Sequence, residues 1–128
     1  MRSRGKPSRA NFGRWGEDAA CRYLKKRGFR IVARRSRNRL GEIDIIAVER
    51  ATRTVVFVEV KARRTAEFGG PAAAVTGGKK RRLCRAVQLF IRRHDLEELA
   101  MRIDVITVVP QEDGSPHIEW FPGAIEPA

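Results

Sequence analysis

Cysteine, histidine and aromatic side chains are sparse in this chain of 128 residues, and 15 acidic residues face 27 basic ones. Cys21 and Cys84 make no disulfide framework, and their spacing matches no zinc pattern, so two reduced thiols are expected. No apolar run nears the ~20 residues of a membrane span, and the N-terminus lacks an apolar segment of secretory type. A membrane partner is therefore not expected, and a cytoplasmic location is. Aromatic residues form 7% of the chain, too few for base stacking to be the main grip on single strands. The histidines, His94 and His117, lie far in sequence from the acidic runs that carry the chemistry.

The net charge of +12 is distributed in blocks. Residues 1–39 hold 14 Lys and Arg against Glu17 and Asp18, and residues 61–93 hold 10 against Glu67. Between them, Glu42, Asp44, Glu49 and Glu59 outnumber Arg50 and Arg53. After residue 93, Arg102 stands against eight acids. One basic block alone reads as a solvated face. Two blocks around an acidic segment point to a polyanion, and nucleic acid is the expected partner. The candidate contacts are Arg34, Arg35, Arg37 and Arg39 in the first block, and Arg63, Lys79, Lys80 and Arg82 in the second. A membrane surface fits less well, because neither block carries large aromatic anchors.

Residues 1–12 read as a disordered basic arm, and residues 13–128 as a single domain of ordinary size. A helix is predicted over 13–28, with Trp15, Ala19, Ala20, Tyr23 and Leu24 facing inward and Gly28 as its stop. Glu17 falls in its first turn, at the edge of the inward face. Strands are predicted over 29–33, 42–48, 54–61 and 103–109, with a short edge strand over 118–121. Residues 34–39 read as a basic loop, and 63–78 as a glycine-rich loop with a turn at 72–75. A second helix over 79–94 buries Leu83, Val87, Phe90 and Ile91, with Lys79, Arg82 and Arg93 pointing elsewhere. The order α-β-β-β-α-β predicts an α/β domain with one mixed sheet and a helix on each face.

Asp44, in GEIDIIAV, and Glu59 with Lys61, in TVVFVEVK, are charged residues inside apolar strands. Burying an unpaired charge is costly, so a partner is required. If 50–53 form the turn between these strands, paired residue numbers sum to 103, and Asp44 faces Glu59. Opposed side chains have Cβ atoms about 4.5–5.5 Å apart, where like charges repel. A divalent cation would turn that repulsion into attraction, and all-oxygen donors select Mg²⁺ or Mn²⁺. Lys61, on the face of Glu59, could orient or deprotonate a water and steady phosphate charge. An isolated Glu-x-Lys is commonly a self-neutralised strand face. Asp44 in the paired strand is what shifts the reading.

This combination resembles the PD-(D/E)XK nuclease superfamily, whose core carries Asp and then Glu-x-Lys on neighbouring strands. More closely, the chain is similar to the YraN-type family of small bacterial proteins, which resemble archaeal Holliday-junction resolvases in fold. Gly16-Glu17 with Ala20 and Tyr23-Leu24, Gly41-Glu42-Ile43-Asp44, and Val56-Phe57-Val58-Glu59-Val60-Lys61 carry the likeness. Phe68-Gly69 with Pro71, Ala74-Val75, residues 79–83 and Arg102-Ile103-Asp104-Val105-Ile106 extend it, so that it covers nearly all of 13–109. The chain departs at Arg35, where the family often has Asn, and at Ala73, where it often has Glu.

The resemblance implies a restriction-endonuclease-like core, with Asp44 and Glu59 as metal ligands and Lys61 as catalytic lysine. Glu17 would join the site from the first helix. Glu42, read on the opposite strand face from Asp44, would play a supporting role, and Asp104 would anchor the start of its strand. Resolvase-like folds often act as dimers, so a homodimer is an option, although no residue pattern marks its face. The function expected is a Mg²⁺- or Mn²⁺-dependent nuclease acting on DNA in preference to RNA, branched or damaged DNA included. The alternatives are a nucleic-acid-binding module that cuts nothing and, behind it, a module whose basic faces meet an acidic protein.

Overall fold

A computed structural model describes residues 8–65 and 76–127. The predicted loop and turn therefore lie outside the described residues over 66–75, as does the predicted arm of residues 1–12 over 1–7, while its residues 8–12 are not disordered but form the cap and first turn of a helix. The first helix, α1, runs over Arg9–Lys26, four residues earlier than the pattern suggested. Its cap explains the early start: the Ser8 side chain accepts a hydrogen bond from the Asn11 N–H at 3.2 Å. Lys25 and Lys26 complement the helix dipole in the last turn, and Gly28, at φ +86°, takes the left-handed turn just beyond.

Three antiparallel strands follow: β1 (Phe29–Asn38), β2 (Gly41–Glu49) and β3 (Thr54–Ala62). The helix α2 (Gly77–Arg93) then leads to β4 (Met101–Pro110), which lies parallel to β3, and β5 (Pro116–Ile125) closes the sheet antiparallel to β4. Among the described residues the order in the sheet is β1-β2-β3-β4-β5. Two apolar layers hold it together. Leu24, Ala20 and Phe29 pack with Ile45, Val56, Val58 and Ile106 on the α1 side, while Leu83 and Val87 pack with Ile46, Phe57, Ile103 and Val105 on the α2 side. The expected α/β order, with one mixed sheet and a helix on each face, is thus observed. No helix among the described residues is long and apolar enough to cross a membrane.

Residues 34–37 are strand and not loop. Arg34, Ser36 and Arg37 pair with Ile45, Ile43 and Glu42, and this backbone ladder outweighs the weak strand signal of the arginine-rich run. β1 is also a sheet edge, where charged side chains are well placed to discourage pairing with another chain.

Asp104 holds the far side of the sheet. The β4–β5 register breaks between Ile103 and Val105, where Gly123 takes φ +64°. The Asp104 carboxylate, fully buried, fills the break and accepts from the Gly123 N–H (2.8 Å), the Trp120 Nε1–H (2.9 Å) and Arg102 Nε (3.0 Å). It is a structural knot, as its expected anchoring role requires. Asp104→Asn puts an amide N–H among these donors and should cost about 1–3 kcal/mol in denaturant unfolding. An unchanged midpoint would show that the knot adds nothing.

Candidate active site

The predicted hairpin register is observed: Val48 pairs with Val55, Ile46 with Phe57 and Ile45 with Val58. The ladder stops there, one pair short of Asp44 and Glu59. The Val60 N–H instead donates to Asp44 Oδ2 at 2.8 Å, so a side chain takes over where a backbone acceptor would continue the sheet. Alternation in β2 also breaks at this point. Ile45 packs in the α1-side layer, but Ile43 packs with Ile46 in the α2-side layer. Across the sheet, Arg35 sits opposite the break with φ +48°. The irregularity frees Asp44 from the ordinary face-to-face pattern and turns its carboxylate toward β3.

Two glycines let the helices close on this end of the sheet. A Cβ on Gly16 would stand 2.7 Å from the Ala62 Cβ, so α1 crosses β3 beside Lys61 only because position 16 has no side chain. A Cβ on Gly41 would meet the Arg82 carbonyl oxygen at 3.2 Å, and Asn38 Nδ2 donates to the Ala86 carbonyl at 3.1 Å. The first half of α2 is thereby pinned over the start of β2. A cavity of about 350 Å³ opens between them, lined by Glu42, Asp44, Glu59 and Val60 from the sheet and by Lys79 and Arg82 from α2.

Glu59 is 7% exposed, and its Oε2 lies 3.5 Å from both Lys61 Nζ and Lys79 Nζ. Burial, reinforced by the charge of Glu59, pushes the Asp44 carboxyl up to about 8, against the opposing pull of the Val60 N–H. Burial also lowers Lys61, aided by the neighbouring Lys79, while Lys79 is raised chiefly by its hydrogen bond to Lys61. Asp44 therefore holds its proton above the ordinary carboxylate range, and the Lys61 amine gives up its proton more readily than usual.

These donors fit a hard divalent ion. The Asp44 carboxyl, raised by burial and then by the charge of Glu59, holds a proton that a cation could replace. Among the described residues, no group of three or more His, Cys, Asp or Glu side chains gathers to hold a metal. Asp44 and Glu59, with Glu42 on the same cleft wall, are the carboxylates that could hold an ion such as Mg²⁺, which keeps several of its waters.

Other candidate residues lie elsewhere. Glu17 is buried and accepts from Arg35 Nε (3.2 Å) and Arg34 Nη2 (3.4 Å), and it lines a separate cavity of about 220 Å³ with Arg9, Arg14 and Arg35. Because α1 starts at Arg9, Glu17 sits well inside the helix and not in its first turn. It does not line the Asp44–Glu59 cleft, although its charge adds to the shift at Asp44. Glu42, expected on the other face, lines the same cleft as Asp44 and accepts from Arg37 Nη2 at 2.8 Å. The break in β2 alternation falls at Asp44, so their sharing one cleft is set by that irregularity.

The basic candidates divide. Arg34 is bound to Asp18 at 2.6 Å, and Arg35 and Arg37 are bound to Glu17 and Glu42, so acids already partner these three. Arg39 is exposed in the β1–β2 turn, Lys80 is half-buried on α2, and the Arg63 N–H donates to the Val108 carbonyl. Lys79 and Arg82, predicted to point away, wall the cleft. The signal for Lys79 was present: it lies four residues before Leu83 and eight before Val87, at the head of the buried stripe.

Residues 16–108 match the family described as Uncharacterised protein family UPF0102. The chain belongs to this family, which is the YraN family that its motifs resemble. A UPF0102 protein of Syntrophotalea carbinolica is 42% identical over 92% of this chain and 94% of its own length. One from a Mycobacterium species (strain KMS) is 46% identical over 91% of this chain and 86% of its own. Among solved structures, SfsA of Pyrococcus furiosus in complex with Ca²⁺ is similar at a TM-score of 0.42 and 13% identity. That match covers 91% of this chain, which spans 64% of the SfsA chain.

Proposed function

We propose that this protein is a metal-dependent nuclease that hydrolyses phosphodiester bonds of nucleic acid, DNA ahead of RNA. The observation that carries the reading is the pairing of half-buried Asp44 with buried Glu59 at a cleft whose other wall is cationic. Asp44 and Glu59 would hold Mg²⁺ or Mn²⁺, which when bound supplies Lewis acidity toward a phosphoryl oxygen and lowers the pKa of water. The Val60 N–H and the two lysines fix the carboxylates in orientation, each through one oxygen. Lys61, half-buried with its affinity for a proton reduced, is suited to take a proton from an attacking water. Arg82 supplies positive charge where a phosphate enters, and the exposed arginines around the cleft add an attraction that weakens with salt.

The test is incubation of the purified protein with supercoiled plasmid, linear duplex and a four-way junction, with Mn²⁺ or with chelator. Nicking that requires Mn²⁺ is expected. If no substrate is cut while salt-sensitive DNA binding persists, the protein is a binding module on this fold. Absence of both would leave a protein partner for the basic faces.

A further inference from the structure

Lys61 and Lys79 lie equally far from one oxygen of Glu59, yet they stand differently toward the cleft. The Lys61 side chain is 17% exposed and does not line the cavity, whereas Lys79 is 46% exposed and does. Arg82, three residues further along α2, shares the wall with Lys79. An anion entering the cavity therefore meets the Lys79 ammonium first, while Lys61, behind the wall, offers it little surface.

The charge balance points the same way. Asp44 and Glu59 contribute two carboxylates; Glu42, the third acid on the cleft wall, is held by Arg37 at 2.8 Å, and no group of three or more His, Cys, Asp or Glu side chains gathers to hold a metal among the described residues. A second divalent ion would have to draw Glu42 away from Arg37 and sit near two ammonium groups. We infer that Lys79 is the residue that contacts the substrate phosphate, and that its charge takes the place of a second metal ion, leaving Asp44 and Glu59 to hold one. This rests on the nuclease reading and adds the role of Lys79 and the metal stoichiometry to it.

The experiment uses Mn²⁺ calorimetry, followed by broadening of the ³¹P signal of dimethyl phosphate by the bound Mn²⁺. Wild type, Lys79→Met and Arg93→Met are compared; the last removes the same charge at the far end of α2. Wild type should bind one Mn²⁺ per chain. Lys79→Met should bind one more tightly, because a like charge has left the site, but its affinity for the diester should fall about tenfold. Arg93→Met should match wild type in both. Two Mn²⁺ per wild-type chain overturns the inference and leaves the nuclease reading standing. Weaker Mn²⁺ binding by Lys79→Met also overturns it, since Lys79 would then merely prop Glu59. An unchanged diester affinity does the same. Wild type that takes up no Mn²⁺ overturns the metal site itself and the inference with it.

Discussion

Glu59→Gln should lose Mn²⁺ affinity by at least about 100-fold and metal-dependent cleavage by about 1,000-fold, while remaining folded. The first loss follows from the donor set. With two carboxylates at the site, removing one charge leaves Asp44 as the sole anionic ligand, and losing a direct ligand exceeds the cost of losing a supporting contact. The rate loss, about 4 kcal/mol of transition-state stabilisation, follows because a misplaced or absent cation withdraws both Lewis acidity and water activation. Folding survives because the charges can rearrange. Lys61 and Lys79 lose their shared carboxylate, and Asp44 loses the smaller, coulombic part of what raises it while its burial remains. The glutamine amide oxygen can still accept from either lysine, and Asp44 ionises more readily than before, so the thermal midpoint should move by only a few degrees. Cleavage retained within tenfold of wild type would move the metal away from Glu59.

The hairpin was legible in the sequence because its information is local. A four-residue polar turn sets the register, and the register places Asp44 near Glu59 with no knowledge of the rest of the fold. What local pattern could not show is that the ladder stops one pair early and that the Val60 N–H is released to bind Asp44. It goes with an irregular stretch of backbone in which Arg35, opposite Asp44, takes φ +48°. The arginines of β1 were read as loop because propensity was weighed without the partner strand, and pairing with β2 overrides it. Lys79 was legible but misread: its spacing from Leu83 and Val87 put it on the sheet-facing side, while its charge suggested solvent. Glu17 was placed correctly on an inward face. Its engagement by Arg34 and Arg35 arises from how α1 lies on β1, and no single segment encodes that.

In metal-free buffer, Asp44→Asn should be more stable than wild type at pH 8, and this advantage should shrink steadily toward pH 4. The sign follows from the carboxyl, whose ordinary value of 3.8 is raised to about 8 by burial and by Glu59. Between these values the folded protein holds a proton that the unfolded chain releases, so wild-type stability falls as pH rises through the window and levels off above about 8. The slope is at most about 1.4 kcal/mol per pH unit, and coupling to Glu59 and the lysines makes it shallower. Asparagine copies the protonated state: its carbonyl can accept from the Val60 N–H, and its amide can donate to Glu59. Its contribution does not titrate, so the two proteins' thermal midpoints, measured from pH 4 to 9, should diverge upward in pH. Parallel curves would mean that Asp44 ionises normally. Saturating Mn²⁺ at pH 8 should then reverse the ranking. The cation replaces the proton in wild type and adds about 2.7 kcal/mol at a concentration 100 times its dissociation constant, while the neutral amide at position 44 forfeits most of that gain. The instability of the bare site and the affinity expected for metal share one cause, a carboxyl taken out of water beside the charge of a second.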